Sequence, residues 1–259
     1  MDRLARELID FWTSKGVDRE FGGFHGTLDR QGVPKEPTDK GLIQQSRHLW
    51  TLSTWYERRD ASPTVKALAD DTYRFLVDHF LEADGEFVFK VSRDGKKVTD
   101  PKKLLYAESF AIYALATYGR VFGVQVAKEQ ALACFRSIDK RAHDAKNLGY
   151  DQTHDPGWLA KGAHKGTNTH IHLLEAFTEL VRATGDAAVR ERLEELVTVT
   201  RTKLFQPEFH YVHKEFLVDW TPHGERQCSY GHDLETVWLL LDAVDALHAQ
   251  ASSTTRRPR

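Results

Sequence analysis

Four segments of this chain open alike, at a period of about 62 residues. They are Gln45-Ser-Arg47-His-Leu-Trp50, Tyr106-Ala-Glu108-Ser-Phe110, Asn168-Thr-His170-Ile-His172-Leu-Leu-Glu175 and Tyr230-Gly-His232-Asp-Leu-Glu235-Thr-Val-Trp238. Matched on Arg47, Glu108, His170 and His232, the intervals are 61, 62 and 62 residues. Polar, ionisable residues at the start of otherwise apolar helices, repeated at a fixed spacing, mark an array of supersecondary units that bury their faces against one another. An array of this kind gathers its functional groups at one shared centre.

Apolar residues recur at three- and four-residue spacing over 2–14, 42–59, 63–81, 104–122, 126–142, 168–184, 186–205 and 232–250, which predicts eight helices. Compact stretches with strand and turn character lie at 21–32, 86–95, 148–155 and 209–222, with Asp-Gly and Asp-Pro at their turns. Short connections make the helices four antiparallel pairs. The helices 42–59, 104–122, 168–184 and 232–250 are expected to form an inner row, with the others outside and the hairpins as a rim. No linker-like composition divides residues 1–250, which read as a single domain. Residues 251–259, Ala-Ser-Ser-Thr-Thr-Arg-Arg-Pro-Arg, carry no apolar face and are expected to be a disordered tail.

Composition removes several classes of function. A net charge of −2 provides no basic field for nucleic acid and no polybasic patch for a membrane. No apolar run reaches the ~18 residues of a membrane span. Cys134 and Cys228 form neither a disulfide framework nor a zinc motif, which fits a reducing, cytoplasmic setting. His170 and His172 lie two apart and diverge on a helix, unlike a metal-binding pair at i and i+4, so no metal is expected. Aromatic residues beside hydrogen-bonding groups suit a sugar, which offers C–H faces and hydroxyl edges.

The candidate pocket at the inner helix starts contains Arg47, Tyr106, Glu108, Asn168, His172, His232 and Glu235, with Trp238 two turns into its helix. His232 and Glu235, three apart, lie on one helical face, where a carboxylate orients an imidazole for acid/base work. Arg47, with Gln44 nearby, can hold sugar oxygens or an enediolate, or can pair with Glu108. The aromatics Trp50, Trp55, Phe110 and Phe177 read as core.

Phe21-Gly-Gly-Phe24, Asp29-Arg-Gln-Gly32 and Lys40-Gly-Leu-Ile-Gln-Gln-Ser-Arg-His-Leu-Trp50 resemble the N-acylglucosamine 2-epimerase family. Asn168-Thr-His-Ile-His-Leu-Leu-Glu-Ala176, Asp219-Trp-Thr-Pro222 and Ser229-Tyr-Gly-His-Asp-Leu-Glu235 are similar to its cellobiose 2-epimerase branch. The resemblance, over residues 8–248, implies an all-α (α/α)6 barrel, here an incomplete toroid of about four helix pairs. It implies a sugar epimerase or aldose–ketose isomerase that moves a proton at C2 of an opened mono- or disaccharide through an enediolate, without metal or redox cofactor. It gives Arg47 the sugar's carbonyl end, Tyr106, Asn168 and His172 the region of C1 to C3, and His232 with Glu235 one of two acid/base positions.

Six pairs at this period need roughly 370 residues, against 259 here. The family's second catalytic histidine lies in the part beyond these four pairs. The competing readings are a catalytically degenerate sugar-binding or interaction protein, and an inverting glycosidase using Glu108 and Glu235 as its carboxylates. The open end of the array is expected to promote self-association.

Overall fold

A computed structural model describes residues 2–35, 37–152 and 162–254. Among these residues there are eight α-helices: α1 (Asp2–Phe11), α2 (Leu42–Arg58), α3 (Pro63–His79), α4 (Leu105–Phe122), α5 (Gln125–Ala142), α6 (Thr167–Thr184), α7 (Ala187–Val199) and α8 (Tyr230–Thr254). They lie within three residues of the expected bounds, except that α7 ends six residues early, where a π-helical turn takes over, and α8 runs further at the C-terminal end. π-Helical turns prolong α1 through Gly16 and α7 through Leu204. α8 runs four residues into the segment expected to be a tail, and 255–259 lie outside the described residues. Among the described residues no helix is long and apolar enough to cross a membrane.

Local chemistry sets the boundaries. Ser62 caps α3 by accepting the Val65 N–H, with Pro63 in the first turn. Asp186 caps α7 through the N–H groups of Ala188 and Val189. Gly123 and Gly185, both left-handed, end α4 and α6. The inner row is α2, α4, α6 and α8, with α2 against α4, α4 against α6 and α6 against α8; α3, α5 and α7 pack behind as outer partners. α4 is enclosed on nearly every side, and all but one residue from Leu105 to Gly119 are buried. The array is therefore an incomplete (α/α)6-type toroid of about four pairs, as the sequence predicted.

Short strands form the rim at the N-terminal end of the inner helices. β1 (Lys40–Gly41), β2 (Lys90–Val91) and β3 (Val98–Asp100) make one antiparallel sheet. β4 (His164–Gly166), β7 (Glu215–Leu217) and β8 (Pro222–His223) make a second, and β5 (Phe205–Gln206) pairs with β6 (Tyr211–Val212). Strands preceding one inner helix thus pair with the hairpin of the next repeat: Lys40 opposes Val91, and Lys165 opposes Phe216. The expected 148–155 turn is described only through Gln152, so His154 lies outside the described residues.

Each of the first three repeats is bolted at the rim by a lysine placed just before its inner helix. Lys40 Nζ lies 3.0 Å from Asp18, Lys165 Nζ 2.7 Å from Asp144, and Lys103 pairs with Glu82. Lys40 and Lys165 are wholly buried and also donate to the carbonyls of Gly22 and Leu148. Burial alone would raise the Asp18 carboxyl, but hydrogen bonds from Arg93 and Lys40 outweigh it and hold the group well below the usual carboxylate range. Asp144 is held down the same way by Lys165 and Asn147. At the corresponding place the fourth repeat has Cys228, exposed and donating to Asp233 at 3.1 Å, with no lysine.

Candidate functional site

The repeat is most exact one layer below the mouth. Gln45 Oε1 accepts the Phe24 N–H at 2.9 Å, Glu108 accepts that of Phe87 at 3.1 Å, His170 Nε2 that of Tyr150 at 3.0 Å, and Asp233 that of Val212 at 3.0 Å. These four acceptors stand 62 or 63 residues apart, and so do the four donors. Each is a hook by which an inner helix holds the backbone of its own hairpin. The phase expected from sequence is thereby corrected: Arg47 and His232 are not the equivalents of Glu108 and His170. Gln45 and Asp233 are.

Gln45, Glu108 and His170 are buried and Asp233 is half-buried, and the four are chemically unlike one another. Burial pushes the Glu108 carboxyl up to about 8, despite the Phe87 N–H and the Cys134 thiol that donate to it. His170 is pushed down to about 4 by burial, against the opposing effect of its Gly166 carbonyl contact. Its Nδ1–H donates to that carbonyl at 2.8 Å while Nε2 accepts, so only the neutral ring fits. Gly23 and Gly149, immediately before two of the donors, have φ of +62° and +72°. A Cβ at either would stand 2.7 Å from the hook itself, on Gln45 Oε1 or His170 Nε2.

Two residues further along each helix, the side chains leave the hairpin and meet each other across the inner row. The Arg47 guanidinium lies 4.5 Å over the Phe110 ring. Phe110 lies 4.8 Å from His172, and His172 Nε2 is 3.9 Å from Glu235. Arg47, Phe110, His172 and Glu235 are again 62 or 63 apart, one from each inner helix. Tyr106 closes edge-on against His172 at 5.3 Å and against Phe110 at 5.0 Å. One turn deeper, Trp50, Tyr113, Glu175 and Trp238 form the next tier; Trp50 lies 5.5 Å from Tyr113, and Glu175 Oε2 accepts the His172 Nδ1–H at 2.9 Å. That bond fixes the ring and leaves Nε2 towards Glu235.

At the far end of the inner helices a ladder of ion pairs spans the row. Glu57 pairs with Arg120; Arg120 lies 3.4 Å from Glu179; Arg182 joins Glu179 at 2.8 Å to Asp242 at 2.7 Å. These links tie α2, α4, α6 and α8 together away from the rim.

Of the residues expected in the pocket, Arg47, Tyr106, His172 and Glu235 come together. Asn168 is half-buried on the first turn of α6, one turn before His172. His232 is half-buried on the first turn of α8. The expected His232–Glu235 pairing is not formed; Glu235 reaches across to α6 because its helical position faces the inner row, where His232 precedes the Asp233 hook. Glu108 does not belong to the pocket. Its carboxylate turns outward to Phe87 and Cys134, so it neither pairs with Arg47 nor forms a catalytic carboxylate pair with Glu235, which removes the glycosidase reading. Trp238 holds the α8 position of the tier that contains Trp50 and is 57% exposed. Trp220, from the Asp-Trp-Thr-Pro motif, ties rim hairpins together: its indole N–H donates to the Asn147 carbonyl at 2.7 Å. Gln44 donates to the His25 carbonyl at 2.9 Å, which secures the first hairpin beside Arg47.

Sequence reasoning gave no role to Glu175 and treated Phe110 as core alone. Glu175 was within reach of the argument, three positions after His172 on one helix. Phe110 is buried as expected, yet it is the surface on which Arg47 and His172 rest, and only the pairing of helices reveals that.

A toroid of helical hairpins with its polar layer at the rim end defines a protein of the α/α-barrel type. The family model of N-acylglucosamine 2-epimerase (GlcNAc 2-epimerase) matches residues 22–256, and the chain belongs to that family. It is 32% identical to a cellobiose 2-epimerase of Bacteroides fragilis, over 94% of this chain and 64% of that protein. A D-mannose isomerase of Thermobifida fusca is 26% identical over 95% and 62%. The solved cellobiose 2-epimerase of Spirochaeta thermophila superposes with a TM-score of 0.86 at 31% identity, covering 95% of this chain and 64% of that one. The chain thus spans under two thirds of the length of these relatives.

Proposed function

We propose that this chain carries the sugar-binding half and one acid/base position of a carbohydrate 2-epimerase or aldose–ketose isomerase. The observation that supports it is the contiguous layer Arg47–Phe110–His172–Glu235, in a family whose relatives are named for these two reactions. In the opened sugar, a base removes the proton from C2 and the electron pair moves onto the carbonyl to give an enediolate. Returning the proton to C2 from the other face yields the 2-epimer; delivering it to C1 yields the ketose.

Arg47 is assigned to the carbonyl and enediolate oxygens, where its fixed positive charge offsets the developing negative charge. Phe110 keeps the guanidinium flat against an apolar wall. Tyr106, Asn168 and His172 are assigned to the hydroxyls around C1 to C3, with His172 held in one orientation by Glu175. His232, at the mouth on α8, is assigned the proton transfer, with Glu235 as the carboxylate that sets the charge of the layer.

The test is proton exchange. Incubation with cellobiose, mannose or N-acetylmannosamine in D₂O should place deuterium at C2 of at least one sugar, as read by NMR. No exchange with any of them overturns the reading. His232→Ala should abolish exchange while keeping the helical circular-dichroism signal; full retained activity removes His232 from its role. The uncovered α8 favours one second reading, a protein that binds a sugar in its half-pocket without turning it over. Saturable binding with no exchange distinguishes it.

A further inference from the structure

Among the described residues every buried tyrosine but one engages its hydroxyl with a partner. Tyr118 donates to Asp70 at 2.8 Å, Tyr150 donates to Asp139 at 2.7 Å, and Tyr211 pairs with His213 Nδ1 at 2.8 Å. The half-buried Tyr73 likewise donates to Gln130 at 2.8 Å. Tyr113 on α4 is the exception. It is 4% exposed, yet its hydroxyl makes no hydrogen bond among the described residues. A buried phenol ordinarily finds a partner, because an O–H that gives up water for nothing destabilises the fold.

The position of Tyr113 shows what the hydroxyl faces. Tyr106, Phe110, Tyr113, Thr117 and Arg120 follow one another at intervals of three and four, and so form one face of α4. Tyr106 meets His172 and Phe110 carries the Arg47 guanidinium, so this is the face turned to the pocket layer. Away from the rim its polar groups are engaged: Thr117 donates to Glu179 at 3.1 Å, and Arg120 joins Glu57 to Glu179. Tyr113 is the first polar residue on the rim side of that ladder. Its ring is held 5.5 Å from Trp50 and 5.6 Å from Phe110. Burial pushes the phenol well above the usual tyrosine range; Glu175 adds to this and Arg47 opposes it. Its hydroxyl therefore stays protonated and lies in the field of the two charges that flank the layer. Glu175 is already committed to the His172 Nδ1–H, and Arg47 makes no ion pair among the described residues.

An opened sugar has one short end. C1 carries a single oxygen, whereas C4 and beyond carry the rest of the chain or, in a disaccharide, a second ring. The short end suits the deep side of the layer, above the engaged ladder, and the bulk of the sugar then runs towards the rim.

We propose that Tyr113 donates a hydrogen bond to the C1 oxygen of the opened sugar, on the deep side of the layer, and shares with Arg47 the charge of the enediolate. This rests on the reaction assigned above and adds a catalytic residue to it. As the base takes the C2 proton, the C–H electron pair becomes the C1–C2 double bond and the carbonyl π pair moves onto the C1 oxygen. Arg47 supplies fixed charge there, and Tyr113 supplies a directed neutral donor. The phenol keeps its proton throughout.

Tyr113→Phe removes one oxygen that holds nothing else in the protein. Its urea midpoint should match the parent's, while kcat for C2 exchange in D₂O falls roughly a hundredfold and KM changes less than about threefold. Tyr118→Phe is the opposite control: losing the bond to Asp70 should lower the midpoint and leave exchange at the parent's rate. Calorimetric binding reads the same contact without turnover. Cellobionate and mannonate carry a carboxylate at C1, whereas cellobiitol and mannitol carry a hydroxyl. The parent should bind an aldonate more tightly than its alditol, and Tyr113→Phe should lose about tenfold in aldonate affinity with a smaller change for the alditol. Parent-level exchange or aldonate binding in Tyr113→Phe overturns the proposal. So does a fall in its urea midpoint alongside lost exchange, which would make the hydroxyl a structural group. A parent that exchanges no sugar, yet shows the aldonate preference and its loss in Tyr113→Phe, overturns the assigned reaction and upholds the Tyr113 contact; a parent with neither overturns both.

Discussion

The hook layer and the pocket layer are built from residues two positions apart on the same four helices, and they differ in almost everything else. Gln45, Glu108, His170 and Asp233 each accept one backbone N–H from their own hairpin. Arg47, Phe110, His172 and Glu235 leave the hairpins and meet one another across the row. In the first layer the job is identical in every repeat, and an amide, a carboxylate or an imidazole does it equally well, because only an acceptor for one backbone N–H is needed. In the second layer the position is fixed but the chemistry varies around the ring: cation, aromatic wall, imidazole, carboxylate. The repeat supplies geometry, and its departures from sameness supply a site with distinct ends.

Substitutions in the two layers should therefore fail in different ways. The largest effect is expected from His172→Gln, which should lower C2 exchange roughly a hundredfold or more with little change in the urea midpoint. An equal loss of stability and activity would erase the distinction between the layers. Glu108→Ala should do the reverse, costing about 3 kcal/mol in denaturant unfolding because the Phe87 N–H and the Cys134 thiol lose their acceptor in a buried place. Glu108→Gln, which keeps an oxygen for Phe87, should recover most of it.

The hooks also carry opposed pH dependences. Glu108, with a folded value of about 8 against 4.5 for the free group, stabilises fully below pH 4.5, and that contribution fades as pH rises through 8. His170, at about 4 against 6.5, stabilises fully above pH 6.5, and its contribution is lost as pH falls through 4. Glu108→Gln should flatten the alkaline side of the stability profile and His170→Gln the acid side; unchanged slopes in urea titrations would contradict the hook assignments. The smallest effect is expected from Glu175→Gln. It should reduce exchange by about tenfold, since the amide keeps a contact to the His172 Nδ1–H but holds the ring less firmly than a carboxylate does.

Helix number, helix bounds and the two-row arrangement were legible from apolar spacing, because every inner helix is amphipathic or fully apolar over four or more turns. The period was legible too, but its phase was not. Arg47 and His232 are the chemically conspicuous residues near the helix starts, whereas the true equivalents, Gln45 and Asp233, share no residue type with Glu108 and His170. Only the hairpin N–H groups they accept identify them. The i, i+3 rule, which would have joined His172 to Glu175, was applied only to His232 and Glu235, and it missed the contact of Glu235 to His172. Same-helix spacing is visible in a sequence; which neighbour faces a residue across the row is not. Trp238 shows the same limit, since its spacing suits a pocket wall or an uncovered edge equally.

The lysine bolts give the array a direction of opening. A buried lysine tied to an acid and, in two cases, to a hairpin carbonyl closes each of the first three corners. The fourth corner, between β8 and α8, has an exposed Cys228 in the lysine's place. In a chain whose stability is a sum of units and nearest-neighbour interfaces, the unit with one interface and no bolt opens first. Amide hydrogens of Val212 and the first turn of α8 should exchange through local opening. Those of α6 should follow, and those of α4, enclosed on both flanks, should exchange only when the whole molecule unfolds. The order of deuteration would thus run along the row, from the helix carrying His232 inward to the one carrying Phe110.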